Sequence, residues 1–158
     1  MAETRYSSKP VTAGILLGVG LGGFVDGITL HQIAQWHNML SAKFPPHDSM
    51  DNMKFNMLWD GLFHAATWIV TVIGLFMLWG AARDGDRLPS TRSFVGSLIL
   101  GWGLFNLVEG IIDHQLLGIH HVREVPNALA YDMTFLAVGG VLFILIGWTM
   151  LRGGRRTV

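Results

Sequence analysis

The sequence predicts an all-α integral membrane protein: a four-helix bundle built from two parallel, quasi-twofold related two-helix repeats. Two observations carry this prediction. Four stretches are long and apolar enough to cross a bilayer, which needs about 20 apolar residues per helix, and part of the chain recurs 83 residues further on. The predicted spans, within a single transmembrane domain 1–158, are residues 11–31, 56–80, 94–117 and 128–151.

The recurring part is the ionisable part of the chain. Without a gap, Asp26 aligns with Glu109, His31 with His114, and His37 with His120; glycines 18 and 20 align with glycines 101 and 103. Chance does not place an acid, two histidines and two glycines in one register. The sequence therefore predicts a duplicated unit.

Composition argues against an ordinary soluble domain, a thiolate metal site and a nucleic-acid-binding protein. Hydrophobic residues make up 51% of the chain, with a mean hydropathy of +0.43. There is no cysteine, so a metal ion would have to use nitrogen, oxygen or thioether ligands. The formal net charge of zero argues against a nucleic-acid-binding protein.

Small residues predict which helices meet. Gly14, Gly18 and Gly22 recur at four-residue spacing in the first span, and Ser97 and Gly101 do so in the third. Such spacing lets two membrane helices approach closely. We expect the first and third spans to pack near the centre. The first span resembles a signal peptide but carries half of the repeat, so we interpret it as retained.

Positive charges predict the orientation, since cytoplasmic loops are enriched in Lys and Arg. Three Lys or Arg residues fall on one side: Lys43, Lys54 and Arg123. The others fall on the opposite side: Arg5, Lys9, Arg83, Arg87, Arg92, Arg152, Arg155 and Arg156. We expect both termini and the loop between the second and third spans to be cytoplasmic.

This orientation places the histidines at the extracytoplasmic end. The first and third spans end near His31, His37, His114, His120 and His121, while His64 lies near the start of the second span and His47 in the preceding loop. Asp60 and Asp132 open the second and fourth spans. Ionisable groups inside membrane spans are costly and usually face the bundle interior as pairs or ligands.

Imidazoles and carboxylates from facing helices are how helical bundles build metal centres. We therefore predict a transition-metal site with the ligands His31, His64, His114, Asp60, Asp132, His37, His120 and His121. Glu109, Asp26 and Asp113 are the predicted catalytic carboxylates, which would serve as proton acceptors. On a regular helix, Glu109, Asp113 and His120 would share one face. A metal-free network of His–Asp hydrogen bonds is the alternative.

Copper is the favoured metal, and zinc or iron would also suit imidazole ligands. The reason is a set of methionines on the histidine side, whose thioethers favour cuprous copper: Met39, Met50, Met53, Met57 and Met133. Haem held by His31 and His114 is a less favoured cofactor.

The motifs Phe-Val-Asp26-Gly-Ile-Thr-Leu-His31, Asp60-Gly-Leu-Phe-His64 and Val-Glu109-Gly-Ile-Ile-Asp113-His114 resemble those of a bacterial family, the domain-of-unknown-function 2243 family. The resemblance covers nearly the whole chain and implies a small four-helix inner-membrane protein. Asn38 departs from it, because a second histidine would follow His37 there. The resemblance supplies no reaction.

Function therefore follows from the residues. We favour a membrane metalloenzyme of the oxidoreductase type over a hydrolase, acting on a small-molecule or lipid-soluble substrate, with the lipid bilayer and a homo-oligomer as expected partners. Copper or zinc handling or transport at the periplasmic face is the first alternative. A bis-histidine haem protein and a metal-free assembly subunit are the others.

Overall fold

The computed structural model describes residues 7–154, which contain four helices long and apolar enough to cross a membrane and no strand. The helices are α1 (Lys9–Ile33), α2 (Met50–Arg83), α3 (Thr91–Leu116) and α4 (Ala128–Gly153). The predicted all-α class is confirmed. Arg5, Arg155 and Arg156, which entered the orientation prediction, lie outside the described residues.

Serine caps set where α2 and α3 begin. The hydroxyl of Ser49 accepts the backbone N–H of Asn52 (3.1 Å), and that of Ser90 accepts the N–H of Ser93 (3.2 Å). Each bond satisfies one of the free N–H groups of a helix start. Helix α2 consequently begins at Met50 rather than at residue 56.

Helices α1 and α3 pack against each other in the middle, with α2 flanking α1 and α4 flanking α3. The close approach depends on glycine. A Cβ atom on Gly18 would overlap the carbonyl oxygen of Leu98, and one on Gly101 would overlap the carbonyl oxygen of Ile15. The small-residue spacing thus predicted the central pair correctly.

Wide π-helical turns interrupt three of the helices, and two of them begin directly after the repeated acids. They span Gly27–Ile33 in α1, Gly110–Leu116 in α3 and Phe135–Leu142 in α4. In a regular α-helix, residues five apart diverge by about 140°. The i→i+5 bonds of a π-helix instead stack them. Asp26 and His31 therefore share one side of α1, as Glu109 and His114 share one side of α3.

This geometry corrects one prediction. Helix α3 ends at Leu116, so His120 lies in the following loop and cannot share a helical face with Glu109 and Asp113. The prediction assumed regular α-helical geometry through residue 121 and is wrong for that reason.

Two residues beyond the end of each central helix, the chain takes the left-handed conformation, at Gln35 (φ 51°) and Gly118 (φ 54°). The loops that follow, residues 34–49 and 117–127, are bonded to each other across the ends of α1 and α3. The N–H of Ala42 donates to Ile119 (3.0 Å) and that of Glu124 to Trp36 (3.2 Å). The loops thereby close over the helix ends.

Equivalent structural features recur 83 residues apart in the chain. The left-handed residues at 35 and 118, the π-turns that start at 27 and 110, and the close approaches of Gly18 and Gly101 all keep this spacing. The duplication of an ancestral unit stays a prediction.

Candidate metal centre

Four imidazoles lie together where the two loops cover the central helices. His31, His37, His114 and His120 are each at most 4% exposed. The rings of His37 and His120 stack almost parallel, 4.6 Å apart. His31 lies 4.4 Å from His37, and His114 lies 4.8 Å from His120, both edge-on.

The two loop histidines exchange hydrogen bonds with the opposite loop. The Nδ1–H of His37 donates to the carbonyl oxygen of Val122 (2.9 Å), and the Nδ1–H of His120 donates to that of Met39 (3.0 Å). A carbonyl oxygen only accepts, so Nδ1 carries the hydrogen in both rings. In the neutral ring, Nε2 then presents a free lone pair.

Aspartates hold the two helix histidines. The Nδ1–H of His31 donates to Asp60 (3.0 Å), whose carboxylate also accepts the N–H of Met39 (2.8 Å) and the side-chain amide of Asn38 (2.7 Å). Three donors to one carboxylate identify Asp60 as the acceptor. In the neutral ring, the Nε2 atom of His31 then carries the lone pair.

Asp132 takes the corresponding place on the α3 side. It accepts the N–H of Val122 (2.9 Å) and the Nδ1–H of His121 (2.7 Å), and its carboxylate lies 3.6 Å from Nδ1 of His114. A carboxylate or a carbonyl behind the imidazole is the usual support of a metal-binding histidine.

The inward Nε2 atoms face carboxylate oxygens. Nε2 of His31 lies 3.2 Å from Asp26, and the Nε2 atoms of His114 and His120 each lie 2.9 Å from the same oxygen of Glu109. Where Nδ1 already carries the hydrogen, a lone pair meets a lone pair. Such contacts are repulsive unless a proton or a cation lies between them.

Several of these atoms lack a hydrogen bond of acceptable geometry within the described residues. They are Nε2 of His31, His37 and His114, Nδ1 of His114, and Oε2 of Glu109. Buried polar atoms without partners are uncommon in folded proteins and require an explanation, such as an ion.

Burial is the main reason that the pKa of His37 lies well below the usual histidine value, and the neighbouring His120 and His31 lower it further. His37 is therefore neutral, which is the form of imidazole that binds metal.

The donors form two groups, each of which could hold a metal ion. The Asp26 triad consists of Asp26, His31 and His37, and the Glu109 triad consists of Glu109, His114 and His120. Within each triad, one ligand atom per residue lies within 4.8 Å of the others.

Other predicted site residues lie outside both triads. Asp60 and Asp132 stand behind the imidazoles, as does His121, which is bonded to Asp132. His64 donates its Nδ1–H to the carbonyl of Asp60 (2.7 Å), and its ring packs near Phe63. The remaining predicted residue, Asp113, is half-buried, and His47, which is outside the predicted set, is exposed.

Three polar residues outside the predicted site, Asn38, Ser41 and Glu124, also form bonds around the centre. Asn38 supports Asp60, and the hydroxyl of Ser41 donates to Glu124 (2.8 Å). The repeat could have indicated them. Asn38 aligns with His121, and Ser41 aligns with Glu124, so the members of each pair lie at equivalent positions of the two repeats.

The methionines do not point to the centre. Met50, Met53, Met57 and Met133 have exposures between 39% and 65% on the outer surface, and Met39 contributes its backbone. The donors that converge are nitrogen and oxygen, so the thioether argument for copper loses its support.

Fold and site together define a membrane-spanning helical protein with a buried histidine–carboxylate cluster at one end. A family model described as "Predicted membrane protein (DUF2243)" matches residues 13–154. The chain belongs to this family, as its motifs predicted. Comparisons with curated proteins and with solved structures gave no match.

Proposed function

We propose that this protein is a membrane metalloprotein whose transition-metal centre is built from the Asp26 and Glu109 triads. The observation that carries the proposal is the contact of three inward-facing Nε2 atoms with carboxylate oxygens at 2.9–3.2 Å, two of them on rings whose Nδ1–H is already bonded elsewhere. A cation between these atoms converts the repulsion into coordination, and it also satisfies the unbonded Nε2 of His37.

The types of donor atom limit which metals the centre would bind. Imidazole suits copper, zinc, iron and nickel, and carboxylate oxygen is a harder ligand than thioether. Four imidazoles with two carboxylates fit Cu²⁺, Zn²⁺ or Fe²⁺. Copper remains within the proposal, as the divalent ion.

Oxidoreductase chemistry is the favoured activity. Three protein donors per group leave coordination positions for a substrate or oxygen, as in catalytic metal sites. An apolar groove of about 510 Å³ runs beside the centre and is lined by Leu30, Trp36 and Tyr131, among others. Its wall includes Phe135, whose ring lies 5.6 Å from that of His114. A lipid-soluble substrate would reach the centre from this side.

Metal handling is the second candidate, because Met50, Met53 and Met57 line the exposed start of α2, close in sequence to the exposed His47. Such side chains suit transient capture of a metal ion. Uptake of metal by proteoliposomes would favour this function over an enzyme, which should show none.

Haem is disfavoured by the packing. The Nε2 atoms of His31 and His114, which would bind the iron, already lie against Asp26 and Glu109. A Soret band in protein produced with haem available would reverse this conclusion.

The test is elemental analysis of protein purified without chelators, with an absorption spectrum. We expect bound copper, zinc or iron in the wild-type protein and a lower content of that metal in His120→Gln. His47→Gln is the matched control, because its ring is exposed. Wild-type protein that stays metal-free after incubation with each ion would refute the metal centre.

A further inference from the structure

We propose that the centre holds two divalent ions, one in each triad, rather than one ion shared by all six side chains. This inference rests on the proposed metal function. Each triad draws its donors from a single central helix and the loop that follows it, with the acid, the helix histidine and the loop histidine at positions 83 residues apart.

The ligand atoms fall into two groups of three, each with its atoms within 4.8 Å of one another. Each helix histidine lies closer to the loop histidine of its own triad than to that of the other: 4.4 Å against 6.0 Å for His31, and 4.8 Å against 6.4 Å for His114. The two loop rings stack across the triads at 4.6 Å. Donors of one ion must all approach it to about 2.1 Å, so they lie within about 4.2 Å of one another. Within each triad, the ligand atoms lie within 4.8 Å of one another, which is close to this limit.

The parallel rings of His37 and His120 form the contact between the two triads. They stack at 4.6 Å with an interplanar angle of 6°, and their Nδ1 atoms are bonded to opposite loops. Each ring is thereby fixed to serve its own triad. Two-metal sites in proteins place their ions about 3.5–4 Å apart, a separation on the scale of this stack.

Charge supports two ions. Four carboxylates are buried around the four histidines: Asp26, Asp60, Glu109 and Asp132. Their ion pairs within residues 7–154 are with histidines. With neutral imidazoles, two divalent ions balance four carboxylates. One divalent ion would balance two of these charges, and protonated imidazoles would have to balance the other two.

The supporting groups are also present twice. Asp60 accepts the N–H of Met39 and stands behind His31, while Asp132 accepts the N–H of Val122 and stands behind His114. One difference is that Glu109 contacts two histidines at 2.9 Å, whereas Asp26 contacts one at 3.2 Å. The Glu109 triad is more nearly assembled, so we expect it to bind metal more tightly.

The experiment measures metal per chain in full-length protein, in detergent, stripped and then reloaded with Zn²⁺. We expect two Zn²⁺ ions in the wild-type protein, one in Asp26→Asn/His31→Gln, and one in Glu109→Gln/His114→Gln. His47→Gln should keep two. X-ray absorption of the reloaded wild-type protein should show a Zn–Zn distance, which gives a second readout that needs no variant to fold.

The outcomes separate the two proposals. Wild-type protein that binds a single Zn²⁺, without a Zn–Zn distance, overturns the two-ion inference and leaves the metal function standing. Wild-type protein that binds none of Zn²⁺, Cu²⁺ or Fe²⁺ overturns the metal function itself.

Discussion

The Nε2 atom of His120 lies 2.9 Å from a carboxylate oxygen of Glu109, although the Nδ1–H of the same ring donates to the carbonyl of Met39. A neutral imidazole cannot donate from both nitrogens. Either the ring is cationic or a metal ion fills the contact. The unbonded Nε2 of the neighbouring His37 favours the metal ion, since a proton on His120 would leave that atom without a partner.

The first prediction distinguishes the buried His37 from the half-buried His64. Both entered the predicted ligand set, but His64 lies outside the triads. We expect His64→Gln to retain the wild-type metal content and His37→Gln to lose metal. Elemental analysis of both proteins, purified in parallel, checks this. Loss of metal in His64→Gln with retention in His37→Gln would contradict the site described here.

The second prediction concerns the carboxylate behind His31. Asp60→Asn keeps an oxygen that can accept the N–H of Met39 but removes the charge that orients the imidazole. Supporting residues of this kind typically contribute about 10–100-fold to metal affinity. We expect a fall of about that size in a competition titration with a chelator. Asp48→Asn is the control, since Asp48 is exposed in the loop that precedes α2. Unchanged affinity would contradict the role given to Asp60.

The third prediction tests the central helix pair. A Cβ on Gly18 would overlap the backbone of α3, so Gly18→Ala forces α1 and α3 apart. Overpacking of this kind costs about 1–3 kcal/mol. We expect a lower thermal midpoint in detergent for Gly18→Ala. Gly61→Ala is the control, because a Cβ there would meet no atom within 4 Å. Equal midpoints for the two variants would argue against the packing.

The fourth prediction concerns the left-handed backbone conformation of the residue that follows the end of α1. Gln35 has φ 51°, and its equivalent at the end of α3 is a glycine, Gly118. A side chain in this conformation costs about 1–2 kcal/mol, which glycine avoids. We expect Gln35→Gly to raise the free energy of unfolding by about 1 kcal/mol. Gly118→Gln should lower it by a similar amount. A denaturant titration followed by tryptophan fluorescence measures both, and destabilisation by Gln35→Gly would show that the side chain has another role.

The fifth prediction concerns metal removal. A ligand that binds the folded state at 100 times its dissociation constant stabilises that state by about 2.7 kcal/mol. We expect chelator to lower the thermal midpoint of the wild-type protein, and Zn²⁺ to restore it. The Asp26→Asn/His31→Gln/Glu109→Gln/His114→Gln variant should show no such response. A wild-type midpoint that is indifferent to chelator and to Zn²⁺ would contradict a metal bound in the folded protein.

The sequence by itself determined the membrane class, the four helices and the pairing of α1 with α3, because these depend on apolar length and small-residue spacing. The recurrence at 83 residues also brought Asp26, His31 and His37 into correspondence with Glu109, His114 and His120. These six residues were all among the predicted site residues. Which of the predicted site residues converge in the two triads, and which stand behind them, was not predicted.

That division was decided by the tertiary structure. Two π-turns place His31 and His114 on the same side of the helix as the acids five residues before them. In a regular α-helix, these histidines would point away from those acids. The crossed loops then bring His37 and His120 inward through bonds to Val122 and Met39, which no periodicity encodes. His64, one helical turn from Asp60, stays outside because its ring packs against the wall of α1 at Gly27.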